Sequence, residues 1–161
     1  MNPLSLLFSF TGRITRLSFW LGIIALAILQ IIALVALNPA MLSGDPDTLA
    51  NLSKPNWTNT LVGLAFLIPF TAIYVKRFND RNRPYWIGFA LVGIYAIYSL
   101  LPHFLGTPDP TAAELTPDMI IFMVFAVLMT IIGLWSLIDL GFLRGTKGPN
   151  QYGPDPKGDS A

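Results

Sequence analysis

LSFWLGIIALAILQIIALVAL, running from Leu17 to Leu37, holds no charge, and its only clearly polar side chains are Ser18 and Gln30. A helix of about 20 such residues, at about 1.5 Å each, crosses a hydrocarbon layer of about 30 Å. Three further stretches repeat the pattern. Trp57 to Val75 is charge-free and contains Pro69; Pro84 to Leu105 is charge-free with His103 near its end; Met119 to Ile138 is charge-free until Asp139, with Leu140 to Leu143 beyond it. In lipid each backbone N–H and C=O must be satisfied within the protein, which a helix does alone and an open set of strands does not. The chain is therefore predicted to be all-α: an integral membrane bundle of four transmembrane helices over about 17–37, 57–75, 84–105 and 119–143. These form one membrane domain, with residues 1–16 as an interfacial N-terminal segment and 144–161 as a tail.

The charges flanking these runs orient them. Arg13 and Arg16 precede the first, Lys76, Arg77, Arg81 and Arg83 separate the second from the third, and Arg144, Lys147 and Lys157 follow the fourth. Only Lys54 falls in a gap of the other parity. Short cytoplasmic segments retain Lys and Arg, so this split predicts a bacterial inner (plasma) membrane protein with both termini in the cytoplasm. The gaps 38–56 and 106–118, with Asp45, Asp47, Asp109, Glu114 and Asp118, read as outer. Asp118 follows Pro117 and is a candidate N-cap for the fourth helix, as Thr15 is for the first. The sequons at Asn51 and Asn56 read as chance in an Asn/Thr-rich loop. The first apolar run exceeds the 7–15 residues typical of a secretory signal core, so an uncleaved span is expected.

Composition narrows the function classes. Charged residues make up 12% of the 161 residues and hydrophobic ones 53%, with a mean hydropathy of +0.59. A soluble domain carries about 25% charged residues. The net charge of +1 leaves no footprint for nucleic acid. Cysteine is absent and His103 is the single histidine, so the chain offers neither a thiol nucleophile nor a clustered metal-ligand set. No catalytic, metal or cofactor residue is assigned. Phe19, Trp20, Trp57, Tyr74, Tyr85 and Trp86 sit at the ends of the runs, where amphipathic rings prefer the headgroup level. Trp135 lies further in and is expected to pack on a neighbouring helix.

Three motifs flank the spans on the basic side. The first is Gly12-Arg13-Ile14-Thr15-Arg16 followed by Phe19-Trp20. The second is Lys76-Arg77-Phe78-Asn79-Asp80, then Tyr85-Trp86. The third runs from Gly145 through Gly148, Asn150, Tyr152, Gly153 and Asp155 to Pro156. In these motifs the chain resembles the bacterial inner-membrane YhaH-like family, a domain-of-unknown-function family. That family reads Gly-Arg-Ile-Ser-Arg with Phe-Trp, then Arg-Arg-Leu-His-Asp with Trp-Trp, then Gly-x-x-Gly-x-Asn-x-Tyr-Gly-x-Asp-Pro. The tail motif is matched in full, while Asn79 stands where the family has His. The resemblance implies the same fold and location and names no activity. Arg16 with Phe19-Trp20-Leu-Gly22 also echoes Arg83 with Tyr85-Trp86-Ile-Gly88, a likeness that any helix entering from a basic side tends to show.

Three functions fit. The leading one is a structural, regulatory or partner-binding bundle without catalysis. The second is a transporter or channel subunit working as a homo-oligomer, suggested by Pro69 inside a span and by the acid Asp139. A membrane enzyme is third. The expected partners are the bilayer, anionic lipid at the cytoplasmic face, and a second copy or another membrane protein. Asp139 needs a nearby cation to offset burial; Arg77 is the expected partner, with Arg81 and Arg13 as alternatives. The tail is expected to dock beside Lys76–Arg83 through Tyr152, with Asp155 meeting a loop cation.

Overall fold

Helix starts and stops follow the local chemistry. The computed structural model describes residues 3–43, 54–108 and 114–158. A short helix α1 (Pro3–Phe8) leads to an extended turn in which Gly12 takes a positive φ of 87°. Thr15 then opens α2 (Arg16–Leu37), its Oγ1 accepting from the Ser18 N–H at 3.2 Å. A hydroxyl in that position satisfies one of the donors a helix start leaves free. A 3-10 turn, Pro39–Leu42, follows. Asn56 caps α3 (Trp57–Asp80) by accepting from Thr58 N–H at 2.8 Å, which gives that sequon residue a structural role. The other sequon, at Asn51, and the acids Asp45, Asp47 and Asp109 lie outside the described residues. Then come α4 (Trp86–Leu105) and α5 (Pro117–Ser136), the latter continuing as a π-helical segment, Leu137–Phe142. Thr116, not Asp118, occupies the N-cap of α5; Asp118 lies in the first turn, where a negative charge favours the helix dipole.

The chain is thus all-α among the described residues, and four helices are long and apolar enough to cross a membrane. They alternate in direction, so the ends flanked by Lys and Arg gather at one end of the bundle.

Helix α3 is the central element, packing on α1, α2, α4 and the π segment. It runs through Asp80, not Val75 as the charge at Lys76 suggests, and Thr71 to Asp80 are all buried except the half-buried Tyr74. Two glycines let its neighbours approach. A Cβ on Gly22 of α2 would meet Ile73 Cδ1 at 2.6 Å, and one on Gly88 of α4 would meet the Val75 backbone N at 3.2 Å. The sequence echo around these glycines thus has a packing counterpart: each closes an outer helix onto α3.

The core of Ile14, Phe19, Leu26, Ile73, Phe78 and Leu140 lies towards the basic end. Trp135 stacks on Phe78 with centroids 6.0 Å apart, as expected from its depth. At the opposite end His103 stacks on Trp57 at 3.9 Å and shares a 2.8 Å hydrogen bond with Thr60, tying α3 to α4.

Candidate functional site

A helix that ends near a membrane boundary leaves its last four carbonyls without helical partners. At the basic end three such helix ends meet, and donors from other elements, most of them cationic side chains, cover them. Lys76 Nζ donates to the Leu6 carbonyl at 2.9 Å and also to that of Ser5, closing the end of α1. From the second half of the π segment onward, five successive carbonyls, Leu140 to Arg144, each accept from a side chain of another element. Arg77 Nε reaches Leu140 O at 2.6 Å, Trp20 Nε1 reaches Gly141 O at 3.2 Å, and Arg16 Nη1 reaches Phe142 O at 2.9 Å. Arg77 Nη2 reaches Leu143 O at 2.7 Å, and Arg81 Nη1 covers Arg144 O. Cations at a helix C-terminus also favour the negative end of the dipole.

The end of α3 is closed in turn by the tail. Thr146 donates to Asp80 O through its N–H at 2.8 Å and its hydroxyl at 3.0 Å, and Asn150 Nδ2 donates to Asn79 O at 2.9 Å. The capping is reciprocal: α3 supplies cations to the fourth span, and the chain beyond that span supplies donors to α3.

Arg13 and Asp80 stand at the centre. The Asp80 carboxylate pairs with Arg13 at 3.0 Å and with Arg77 one turn earlier on its own helix. All three side chains are buried. Arg13 also donates to the carbonyls of Gly148 at 2.7 Å, Gly153 at 3.2 Å and Thr146 at 2.6 Å. A guanidinium presents five donors in a planar fork, which suits one residue to holding a carboxylate and a folded loop together. Gly145 must be glycine, because a Cβ there would collide with the Asp80 carboxylate.

The tail is itself folded. Gly148 and Gly153 take positive φ values of 70° and 133°, and Asn150 and Gly153 exchange two backbone hydrogen bonds of 3.0 Å. Asp155 closes the loop, accepting from Gly148 N–H at 3.1 Å and Lys157 N–H at 2.9 Å. The Lys157 amide, then the Gly148 amide and the charge of Arg13, hold the Asp155 carboxyl below its usual range.

Each of the three motifs contributes to this knot. The family described as Protein of unknown function (DUF805) matches residues 7–154. The chain belongs to this family. The proteins named Uncharacterized protein YiiR, from Escherichia coli strain K12 and from O157:H7, are each 28% identical over 155 residues, covering 92% of this chain and 86% of theirs. No solved structure matches the chain. The domain-of-unknown-function family expected from the motifs is thus shown, and the relatives matched carry the name YiiR rather than YhaH.

Within this DUF805 chain the expected partners shift in three places. Asp139 pairs with Arg81 at 3.0 Å and lies 3.7 Å from Arg83, not with Arg77. Arg77 faces Asp80, three residues on along α3, and its other donors are taken by Leu140 and Leu143. Arg81 follows the end of α3 and so turns towards the π segment. Tail docking is carried by Arg13, Thr146 and Asn150, while Tyr152 is half-buried and donates its N–H to Asn150 Oδ1 at 2.9 Å. Asp155 meets backbone amides of the tail, not a loop cation. Trp86 is 61% exposed at the start of α4 and Pro156 is exposed at the rim of a small recess beside Arg16 and Arg144; neither enters the knot. Phe19 packs in the core beneath, its ring 5.8 Å from that of Tyr74.

Thr146 and Lys76 carry roles that reading the sequence missed. Thr146 sits at a position the motif leaves unspecified between its glycines, and Lys76 reads as one more charge of the basic gap. Asn79, at the position of the family His, donates to Gly12 O at 3.1 Å, so it ties the N-terminal segment to α3. Among the described residues no three His, Asp or Glu side chains converge.

Proposed function

We propose that this protein is a non-catalytic component of the bacterial inner membrane, with both termini in the cytoplasm, that presents a rigid basic face to a partner. One observation carries the reading: the buried charges of the three motifs are spent on one another and on backbone carbonyls, while Arg83, Arg144, Lys147 and Lys157 remain exposed around them. A site built for chemistry leaves reactive groups open to substrate; a knot of this kind fixes a surface. The exposed cations suit anionic lipid headgroups or an acidic segment of a membrane protein, a second copy included. Photo-crosslinking from the exposed position 149 in native membranes is expected to capture a defined partner or anionic lipid, and Arg144→Glu with Lys147→Glu is expected to lose it. Capture of neither by the wild-type chain overturns the reading. The chain has no cysteine, so single cysteines report orientation directly: an impermeant maleimide is expected to label Thr111→Cys in intact cells and to spare Lys157→Cys.

A second reading, a transporter or channel subunit, is favoured by Asp139. It is buried in a π-helical segment, and its Oδ2 has no hydrogen-bond partner among the described residues. π-helical turns recur at functional sites, and an intramembrane acid serves cation and proton paths. Loss of flux through liposomes in a folded Asp139→Asn protein would favour it; absence of flux in the wild type removes it.

A further inference from the structure

We propose that the half-open cavity between the four long helices binds an uncharged lipophile bearing a carbonyl or hydroxyl group. The cavity is about 430 Å³ and is walled by all four long helices. That volume falls within the range of about 300–1,000 Å³ usual for small-ligand sites. Three of the walls are continuous helical stripes. Gly63, Leu67, Phe70 and Tyr74 recur at i, i+4, i+7 and i+11 on α3, while Leu91, Tyr95 and Tyr98 line α4, and Met129, Ile132 and Ser136 line α5. From Gly63 to Tyr74 the slot extends about 16 Å along α3.

Its chemistry selects the occupant. No Lys, Arg, Asp or Glu lines it, so a charged headgroup would enter without a counter-ion. The middle is apolar, which suits a hydrocarbon body. Polar groups stand at its two ends. At the end nearer the basic face the Tyr74 phenol reaches the Ser136 hydroxyl. Near the other end Gln30 faces the cavity, and its amide makes no hydrogen bond among the described residues. An amide is costly in apolar surroundings without a partner, and it offers both a donor and an acceptor to a carbonyl or hydroxyl. An alkyl chain alone would fill the slot and leave Gln30 unmatched. The space is also open on the glycine side: a Cβ on Gly133 would meet nothing within 4 Å, and one on Gly63 only Gln30 Nε2 at 4.0 Å. Tyr98 closes the slot towards the non-basic end, its ring 6.2 Å from Phe125 and 6.4 Å from Phe122.

The inference does not rest on the partner-binding reading. Its test uses the full chain in nanodiscs with a diazirine-bearing hexadecanol, the labelled residues being mapped by mass spectrometry. Labelling is expected to saturate, to be competed by plain hexadecanol, and to concentrate at Leu67, Tyr95 and Met129. Gly133→Leu should reduce the saturable component at least tenfold in a protein that keeps its thermal midpoint. Val92→Trp fills the same space from the facing helix should Gly133→Leu misfold. Gln30→Leu should weaken labelling by the alcohol and spare labelling by a diazirine-bearing alkane. The proposal is overturned by labelling that rises linearly with probe and falls equally on the outward-facing Ile131 and Leu134, by labelling indifferent to both filling variants, or by efficient Gly133→Cys crosslinking between copies, which would make the cavity an interface.

Discussion

The basic end and the middle of the bundle are held in different ways. At the basic end, buried Arg13, Arg77, Asp80 and Lys76 make directional bonds to carbonyls and carboxylates from several parts of the chain. In the middle the helices meet through apolar side chains, most of α4 and α5 faces outward, and a cavity of about 430 Å³ remains between them. Apolar contact does little to drive helices together when the solvent is itself apolar, so close packing and polar bonds decide where they settle. The comparison teaches that this fold is specified at one end and left adaptable in the middle, an arrangement suited to a fixed surface above and a fillable space below.

The largest break is expected at Asp80. Asp80→Ala leaves Arg13 and Arg77 buried without their carboxylate, and removing one member of such a group costs about 3–5 kcal/mol. Unfolding of the detergent-solubilised chain would read the loss, and hydrogen exchange at Asn150–Gly153 should rise to that of exposed segments. A protected tail in that variant would mean Arg13 holds it without Asp80.

Asp139→Ala should cost less, about 1.5–3 kcal/mol, the range for a hydrogen bond to a charged group. Its partners are partly wet, with the Arg81 side chain 19% exposed and that of Arg83 49%. A loss equal to that of Asp80→Ala would show that the charge at the π segment belongs to the same knot.

Two alanines on one helix sharpen the boundary between the regions. Gly88→Ala forces a Cβ against the α3 backbone, 3.2 Å from Val75 N, and should cost about 1–3 kcal/mol through overpacking. Gly93→Ala, five residues deeper, meets nothing within 4 Å and should stay within about 0.5 kcal/mol of wild type. Equal effects would contradict the difference in packing.

The smallest effect is the pH response of the tail. Asp155 is held ionised by the Lys157 and Gly148 amides, so its carboxyl titrates below the unfolded value of 3.8. A lowered folded pKa contributes stability that is present above the unfolded value and lost as pH falls through the folded one. Protection of the Gly148 amide, taken relative to an unstructured amide at the same pH, should therefore be high at neutral pH and fall below about pH 4, and Asp155→Asn should remove that fall.

Much of this was legible along the chain. The four apolar helices, the gathering of Lys and Arg, the Thr15 cap and the stacking depth of Trp135 follow from hydropathy, charge and turn chemistry, which are properties of each segment on its own. The endpoint of α3 was not legible, because Lys76 and Arg77 look like boundary charges until carbonyls from α1 and the π segment are there to receive them. Nor was the choice of Arg81 over Arg77 for Asp139, which depends on which way each guanidinium leaves the end of one helix. The sequence by itself determined how many helices are long and apolar enough to cross a membrane and which of their ends carry the charge, because transfer into lipid is summed residue by residue within a segment. Only the tertiary structure decided which cation meets which carbonyl, which glycine admits a neighbour and where the cavity opens, because these depend on ångström distances between positions as far apart as Arg13 and Gly153.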